Sequence, residues 1–257
     1  MIRKPTEIVS PNLLIGASPL AVLRLCQGYY DCPKDEGGKR LGPLMGYAGK
    51  YKDPTTGEEK QYVGDVYYNF SQAEQYPHVL AWYAEQVDRK LSENGFSDFD
   101  CILGAPMGGI ALAQALAARR DRLFVFAEKK EIAPATAGGR ATSKLVLNRH
   151  VIEKGMRVML GEDVCNNYST TDETGTLVAS RGATLAGIIC AFNRSGHWQR
   201  KGIPVFSPAF LPTRQYRQDD PAVALDVAAS NVLWKPKDEW AKVREILAVG
   251  DWLVPGQ

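Results

Sequence analysis

The amino-acid sequence predicts an α/β fold in which a parallel sheet is covered by helices on both faces, with a small appended region at the N-terminus. Four segments beyond residue 98 are apolar along most of their length, which is typical of strands buried on both faces: FDCILG, RLFVFAEKK, MRVMLGED and ATLAGIICAFNR. They alternate with stretches of helical character, as strands joined by crossover helices do.

The N-terminal region differs in composition from the rest of the chain. Residues 1–75 are rich in Gly, Pro, Tyr and Lys, and turn signals such as TTGEEK separate short aromatic pieces such as QYVGDVYYNF. We therefore expect hairpins in 1–75 and the α/β core in 76–257. The core begins with a helix from Pro77, whose apolar residues recur at helical spacing up to a C-cap at Asn94 and Gly95. It ends in an edge strand, a loop and an amphipathic helix.

Composition and charge exclude several classes of partner. The net charge of the 257 residues is +2, so neither nucleic acid nor a membrane surface is indicated. No run approaches the roughly 20 apolar residues of a membrane span. Five cysteines, an odd number, are typical of reduced thiols inside the cell, and Cys101 and Cys190 lie in apolar runs typical of a core. We expect a soluble cytoplasmic protein without a metal-thiolate site.

Polar residues follow each of the four predicted strands, at the end where ligands bind in parallel α/β sheets. In chain order these exits offer backbone amides, two ammonium groups, paired carboxylates with a polar turn, and a guanidinium. Together they predict a pocket for a polyanionic, polyhydroxylated ligand. The exits are GAPMGG (104–109), AEKKE (127–131), GEDVCNNYST (161–170) and NRSG (193–196).

The adjacent carboxylates of Glu162 and Asp163 are the most specific of these features. Neighbouring residues of a strand point to opposite faces, so one carboxylate can face the pocket while the other meets supporting groups. The alternative is an N-cap of the helix that follows, a position that Asp, Asn, Ser and Thr favour.

These segments resemble a known family. The stretch RVMLGEDVCNNYSTTDETGTLVASRGATLAGIICAFNRSG resembles the phosphoribosyl diphosphate signature of type I phosphoribosyltransferases. Among these enzymes, GAPMGGIALAQALA resembles the pyrophosphate loop of orotate phosphoribosyltransferases, FVFAEKKE their strand ending in basic residues, and FNRSG their Asp-Arg strand end. The resemblance spans 67–196 and implies a type I phosphoribosyltransferase-like core, with the N-terminal region serving as its hood.

The resemblance implies magnesium-dependent transfer of ribose 5-phosphate from phosphoribosyl diphosphate to a nucleobase, orotate or a related one, with release of pyrophosphate. Glu162 and Asp163 would hold the ribose hydroxyls and favour positive charge developing on the sugar. Lys129 and Lys130, with the amides of 107–109, would neutralise the leaving pyrophosphate. These four residues are the implied catalytic set, and Mg²⁺ would be held mainly by ligand oxygens and water.

The resemblance also implies substrate-binding residues and a flap. Residues 166–170 would surround the 5-phosphate, and 132–144, with Arg140 and Lys144, would be a flap that closes over the reacting groups in a homodimer. A surface loop is the alternative for that segment. The implied substrate-binding residues are Pro106, Met107, Gly108, Gly109, Asn166, Asn167, Tyr168, Ser169, Thr170 and Arg194.

Three departures from the family pattern leave the function open, one of which is that the flap lacks the Lys and His pattern usual in orotate enzymes. The family's phosphate turn usually runs Thr-Thr-Gly-Gly, whereas this chain has Asn166-Asn167-Tyr168, and a tyrosine tolerates positive φ poorly. Asn193 stands where an Asp is usual. Three hypotheses remain: transfer to orotate or a related base, transfer to another base, and a non-catalytic module that senses a phosphoribosyl ligand or nucleotide.

Overall fold

A computed structural model describes residues 4–133 and 142–249. A 3-10 helix spans Pro11–Leu14. The α-helices in chain order are α1 Pro5–Ile8, α2 Pro19–Leu25, α3 Ser71–Glu74, α4 Pro77–Glu93, α5 Gly109–Arg120, α6 Ser169–Ser180, α7 Ala224–Ala228 and α8 Trp240–Val249. The strands are β1 Tyr29–Asp31, β2 Leu44–Lys52, β3 Glu59–Gly64, β4 Val66–Tyr68, β5 Cys101–Gly104, β6 Leu123–Phe126, β7 Glu128–Ala133, β8 Thr142–Val146, β9 Arg157–Cys165, β10 Thr184–Asn193, β11 Gln199–Arg200, β12 Ile203–Phe206 and β13 Val232–Leu233.

The chain divides into two compact units. The first consists of Met1–Val22 and Ala73–Pro212, and the second of Leu23–Gln72 and Thr213–Gln257. The C-terminal segment thus groups with the small sheets of the second unit, because β13 pairs with β2. The division of the chain at residue 75 stays a prediction.

The first unit is built on a six-stranded sheet with the order β11-β12-β10-β9-β5-β6. All neighbouring pairs from β12 to β6 are parallel, and the edge strand β11 is antiparallel to β12. The predicted α/β class with a mostly parallel sheet is therefore confirmed. The predicted helix from Pro77 is α4, and Gly95 after it has a φ of +61°.

Helices cover both faces of this sheet. Val178 of α6 packs in a core cluster with Leu103 and Leu160. Gly161, the next residue of β9, points to the other face, where a Cβ would lie 2.8 Å from the Cβ of Ala113 in α5. The absence of a side chain at Gly161 thus brings α5 close to the strand that carries the acid pair.

The segment RLFVFAEKK does not form one strand, contrary to the prediction. β6 ends at Phe126, and Glu128–Ala133 forms β7, which pairs with β8 in a separate two-stranded antiparallel sheet. The N–H of Ala127 donates to the carbonyl of Gly104 at 3.2 Å. Because β5 itself ends at Gly104, the following residues have no partner strand there and pair with β8 instead.

The second unit contains two small sheets, β1-β4 and β13-β2-β3. β2 and β3 form the antiparallel hairpin predicted around TTGEEK, and Gly57 in its turn has a φ of +73°. Trp240 of α8 packs in the core of this unit with Tyr30 and Met45. It serves there as a packing anchor.

Cys101 and Cys190 are fully buried, as predicted, and Cys165 is 2% exposed. A hydrogen bond with Cys190 and burial raise the pKa of the Cys165 thiol well above its usual value. A protonated, buried thiol is a poor nucleophile, which agrees with a packing role for Cys165. Of the helices in the described part of the chain, none has the length and apolar character needed to cross a bilayer.

Candidate active site

The acid pair lies within β9 and not beyond its end. Glu162 and Asp163 are half-buried, and β9 continues to Cys165, which pairs with Asn193 of β10. The N-cap of α6 is Tyr168, several residues further along the chain. The pair therefore does not occupy the N-cap of the helix that follows, which was the alternative left open by the sequence.

The two carboxylates point to opposite faces of the sheet, as strand geometry requires. Asp163 lies against the glycine turn: a Cβ built on Gly108 would be 2.2 Å from its Oδ2 and 2.4 Å from its Cγ. Glu162 faces α6, where the hydroxyl of Thr171 donates to Oε1 at 3.4 Å. Asp163 therefore contacts the glycine turn on one face of the sheet, and Glu162 contacts the first turn of α6 on the other face.

The glycine turn itself is held tightly against β9. The N–H of Ala105 donates to the carbonyl of Gly161 at 2.9 Å. A Cβ on Gly109, the first residue of α5, would lie 2.0 Å from that same carbonyl oxygen, so only glycine fits. Pro106 is half-buried, and the side chain of Met107 is 80% exposed. The N-terminus of α5, which favours anions, is thereby placed beside the carboxylate of Asp163.

The predicted phosphate turn joins β9 to α6. Asn166 and Asn167 form the turn, and Ser169 and Thr170 begin α6. Tyr168 adopts the left-handed conformation that glycine reaches readily and tyrosine tolerates poorly, with a φ of +61°. Its side chain is 5% exposed and packs in the core cluster. The main chain of Tyr168 therefore belongs to the turn, whereas its ring lies in the core.

The exit of β10 is fixed by the side chain of Asn193, which is fully buried. Its Oδ1 accepts from the N–H of Ser195 at 3.1 Å and from the Ser195 hydroxyl at 2.7 Å. Its Nδ2 donates to the carbonyl of His197 at 2.8 Å. An ionised aspartate has no proton to donate, so the asparagine fits this loop where the family's Asp would not. Arg194 is also buried, and its N–H donates to the carbonyl of Cys165 at 2.9 Å.

We expect Asn193→Asp to lower the free energy of unfolding at pH 7 by about 2–4 kcal/mol, because it buries a carboxylate against the carbonyl of His197. Burial favours the neutral acid, so the pKa of this carboxyl in the folded protein rises above its unfolded value. The full loss of unfolding free energy is therefore expected at pH values above the pKa of this carboxyl in the folded protein. It disappears as the pH falls below about 4, where the carboxyl is protonated in both the folded and the unfolded state. Thermal unfolding of wild type and variant at pH 7 and pH 4 measures it. A loss of equal size at both pH values contradicts the assignment.

The predicted pyrophosphate lysines lie on the β7–β8 hairpin and not at the exit of a central strand. Lys129 and Lys130 are exposed in β7, and Lys130 pairs directly with Lys144 of β8. Like charges directly opposite each other destabilise a hairpin, and a bound anion relieves the repulsion. Arg140, the other predicted flap residue, lies outside the described residues.

Several residues that contact this site were missed in the sequence. Thr171 and Asp172 follow the turn in YSTTDET. Their place in the first turn of the predicted helix could have indicated that their side chains lie close to the acid pair and the turn. Asp172 accepts from Arg200 at 3.0 and 2.6 Å and pairs with Lys201 at 2.9 Å. The hydrogen bond with Arg200 is the main cause that lowers the pKa of Asp172 to about 2. Nothing in the local pattern pointed to Arg200.

The donor chemistry of the site fits magnesium held mainly by a ligand. Among the described residues, no group of three or more His, Cys, Asp or Glu side chains is arranged to hold a metal ion. Glu162 and Asp163 are hard oxygen donors of the kind that Mg²⁺ accepts, and the remaining positions of the ion suit water and phosphate oxygens.

No protein family model matches the chain. Among curated proteins, it is 28% identical over 159 residues to the orotate phosphoribosyltransferase of Caldanaerobacter subterraneus subsp. tengcongensis, a match that covers 61% of this chain and 75% of the relative. It is also 28% identical over 140 residues to that of Pyrococcus furiosus, covering 54% and 70%. Among solved structures, the orotate phosphoribosyltransferase of Aeropyrum pernix matches with a TM-score of 0.48 at 15% identity, covering 75% of this chain and 93% of that one.

Proposed function

We propose that the protein is a phosphoribosyltransferase. The two curated relatives are both orotate phosphoribosyltransferases, which confirms the predicted resemblance to the type I family and to the orotate enzymes in particular. In this proposal the protein transfers ribose 5-phosphate from phosphoribosyl diphosphate to an orotate-like base and releases pyrophosphate. The observation that carries the proposal is the Asp163 carboxylate lying against Gly108. A group that binds sugar hydroxyls there meets a helix N-terminus that binds anions.

In the proposed reaction the bond between C1 of the ribose and the pyrophosphate oxygen breaks, and its electron pair leaves with pyrophosphate. A ring nitrogen of the base then supplies the pair for the new bond to C1 and gives up its proton to the solvent. Positive charge develops on the sugar between these events. The carboxylate of Asp163 accepts hydrogen bonds from the ribose hydroxyls beside Gly108 and favours that charge. Glu162, which Thr171 holds on the α6 side of the strand, adds its negative charge.

The anionic ends of the substrate are proposed to bind at two helix N-termini. The amides at the start of α5, with Lys129 and Lys130, take the pyrophosphate, and those at the start of α6, with Ser169 and Thr170, take the 5-phosphate. When bound, Mg²⁺ would neutralise phosphate charge through the ligand's own oxygens. We also propose that the protein is a homodimer in the cytoplasm and that it acts in the synthesis of pyrimidine nucleotides.

Lys130→Ala is expected to weaken the binding of pyrophosphate about tenfold while changing the affinity for base less, because Lys130 and Lys144 form a paired cationic site. Calorimetry with each ligand in turn measures this, and the difference should shrink as salt screens the charge. Lys154→Ala, which removes an equal charge from an exposed lysine, is the control. A larger loss for base than for pyrophosphate would defeat the assignment.

A panel of nucleobases incubated with phosphoribosyl diphosphate and magnesium tests the function as a whole, with pyrophosphate release as the readout. The proposal predicts release with orotate above the rate without base. Release with another base alone would correct the acceptor and keep the reaction class. No release with any base would overturn the transferase and favour the non-catalytic binding module.

A further inference from the structure

Tyr168 occupies a backbone conformation that glycine adopts readily and tyrosine rarely does. It is the N-cap of α6, its φ is +61°, and its side chain is 5% exposed. A non-glycine residue persists in this conformation only where its surroundings hold it there. What holds Tyr168 is therefore part of how the turn at 166–170 keeps its shape.

The phenol of Tyr168 is the end of a chain of hydrogen bonds that reaches a second loop of the site. Its oxygen lies 2.7 Å from the hydroxyl of Ser195, and either atom can donate. Ser195 is in turn bonded to Asn193, whose Nδ2 donates to the carbonyl of His197. The turn that follows β9 is thus bonded through side chains to the loop at 193–197 that follows β10.

This bond holds across the physiological pH range. Burial is the main cause that raises the pKa of Tyr168 to about 12, so the phenol keeps its proton. The guanidinium of Arg200 lies 5.5 Å from the centre of the ring, and Arg200 also binds Asp172 in the first turn of α6. The helix therefore has its own anchor, independent of the phenol hydroxyl.

We propose that Tyr168 is a positioning residue, whose phenol fixes the turn at 166–170 and the loop at 193–197 relative to each other so that both contact one phosphoribosyl ligand. The inference rests on the proposed function, in which the turn takes the 5-phosphate. Glycine reaches the left-handed conformation without strain, whereas Tyr168 is held in it by its buried, hydrogen-bonded phenol. A phenylalanine keeps the ring and loses only the anchor.

Calorimetry with ribose 5-phosphate tests this on wild type, Tyr168→Phe, Ser195→Ala and the double variant. We expect each single variant to bind about fivefold to tenfold more weakly. The losses in the double variant should be less than additive, because both changes remove the bond between the two hydroxyls, although each also removes a bond of its own to the carbonyl of His197. Tyr83→Phe is the matched control: the phenol of Tyr83 is also buried in this unit and donates to the carbonyl of Pro19 at 2.6 Å. Its affinity should stay within about twofold of wild type.

Hydrogen exchange of the unliganded proteins supplies a readout that a loss of general stability does not produce. Tyr168→Phe should speed exchange in both 166–170 and 193–197, and Tyr83→Phe in neither. Any one of four results would overturn the inference. Two concern the designed variants: wild-type affinity in Tyr168→Phe, or additive losses in the double variant. The others are an equal loss of affinity in Tyr83→Phe and a wild-type protein that does not bind ribose 5-phosphate. Binding by wild type without pyrophosphate release for any base would overturn the transferase and leave this inference standing.

Discussion

The double variant Glu162→Gln and Asp163→Asn is expected to lower kcat/KM for pyrophosphate release by about a thousandfold or more. Each amide keeps the shape of the side chain but loses the negative charge that favours the developing cation on the sugar. Because Asp163 lies against Gly108 and Glu162 is bonded to Thr171, both acids are held in place before substrate binds. Steady-state kinetics with the best base of the panel measures the loss.

The control for this pair is Asp98→Asn with Glu153→Gln, which removes the same charge from exposed positions of the same unit. Asp98 is ion-paired with Arg157 at the surface, an interaction that contributes little to stability. The control should keep its activity within about threefold of wild type, since ~0.6 kcal/mol is a small change in barrier. An acid-pair variant within about tenfold of this control would show that the carboxylates do not act on the sugar.

Gly108→Ala is expected to lower activity about a hundredfold while leaving the thermal midpoint nearly unchanged. The new methyl group would sit 2.2 Å from Oδ2 of Asp163, and the end of a side chain can turn away to make room. The displaced carboxylate then no longer meets the ribose, which costs transition-state stabilisation of the usual size for one aligned group. Parallel measurements of kcat/KM and of thermal unfolding check both parts.

Gly109→Ala is the comparison that separates the site from the fold. Its methyl group would sit 2.0 Å from the main-chain carbonyl of Gly161, and neither α5 nor β9 can shift without losing packing. We expect this variant to lose at least about 3 kcal/mol of unfolding free energy. A stable Gly109→Ala beside an unfolded Gly108→Ala would contradict the close approach of turn and strand.

The fold class followed from the sequence because buried parallel strands are apolar along their length, a local property. The break after Phe126 did not follow, since the letters of AEKKE continue the strand pattern and the partner of β7 is another segment, β8. The pairing of β13 with β2 was also out of reach, because it joins residues far apart in the chain. Local pattern predicts elements, whereas partners depend on the whole fold.

The same division applies to the site. The period of a strand was enough to predict that Glu162 and Asp163 point to opposite faces. The reason for Asn193 was hidden, because its bonds reach Ser195 and His197 through a loop whose course the sequence does not reveal. The left-handed backbone of Tyr168 could not be predicted for a similar reason. The residue that its phenol binds, Ser195, lies in the loop after another strand, β10.

The most direct measurement is a calorimetric titration of phosphoribosyl diphosphate with magnesium into wild type, Asp163→Asn and the exposed-acid control Asp98→Asn. If the Asp163 carboxylate beside Gly108 holds the ribose hydroxyls, affinity should fall about tenfold or more in Asp163→Asn and stay at the wild-type value in Asp98→Asn. Equal affinity in wild type and Asp163→Asn would contradict the placement of the sugar against this acid.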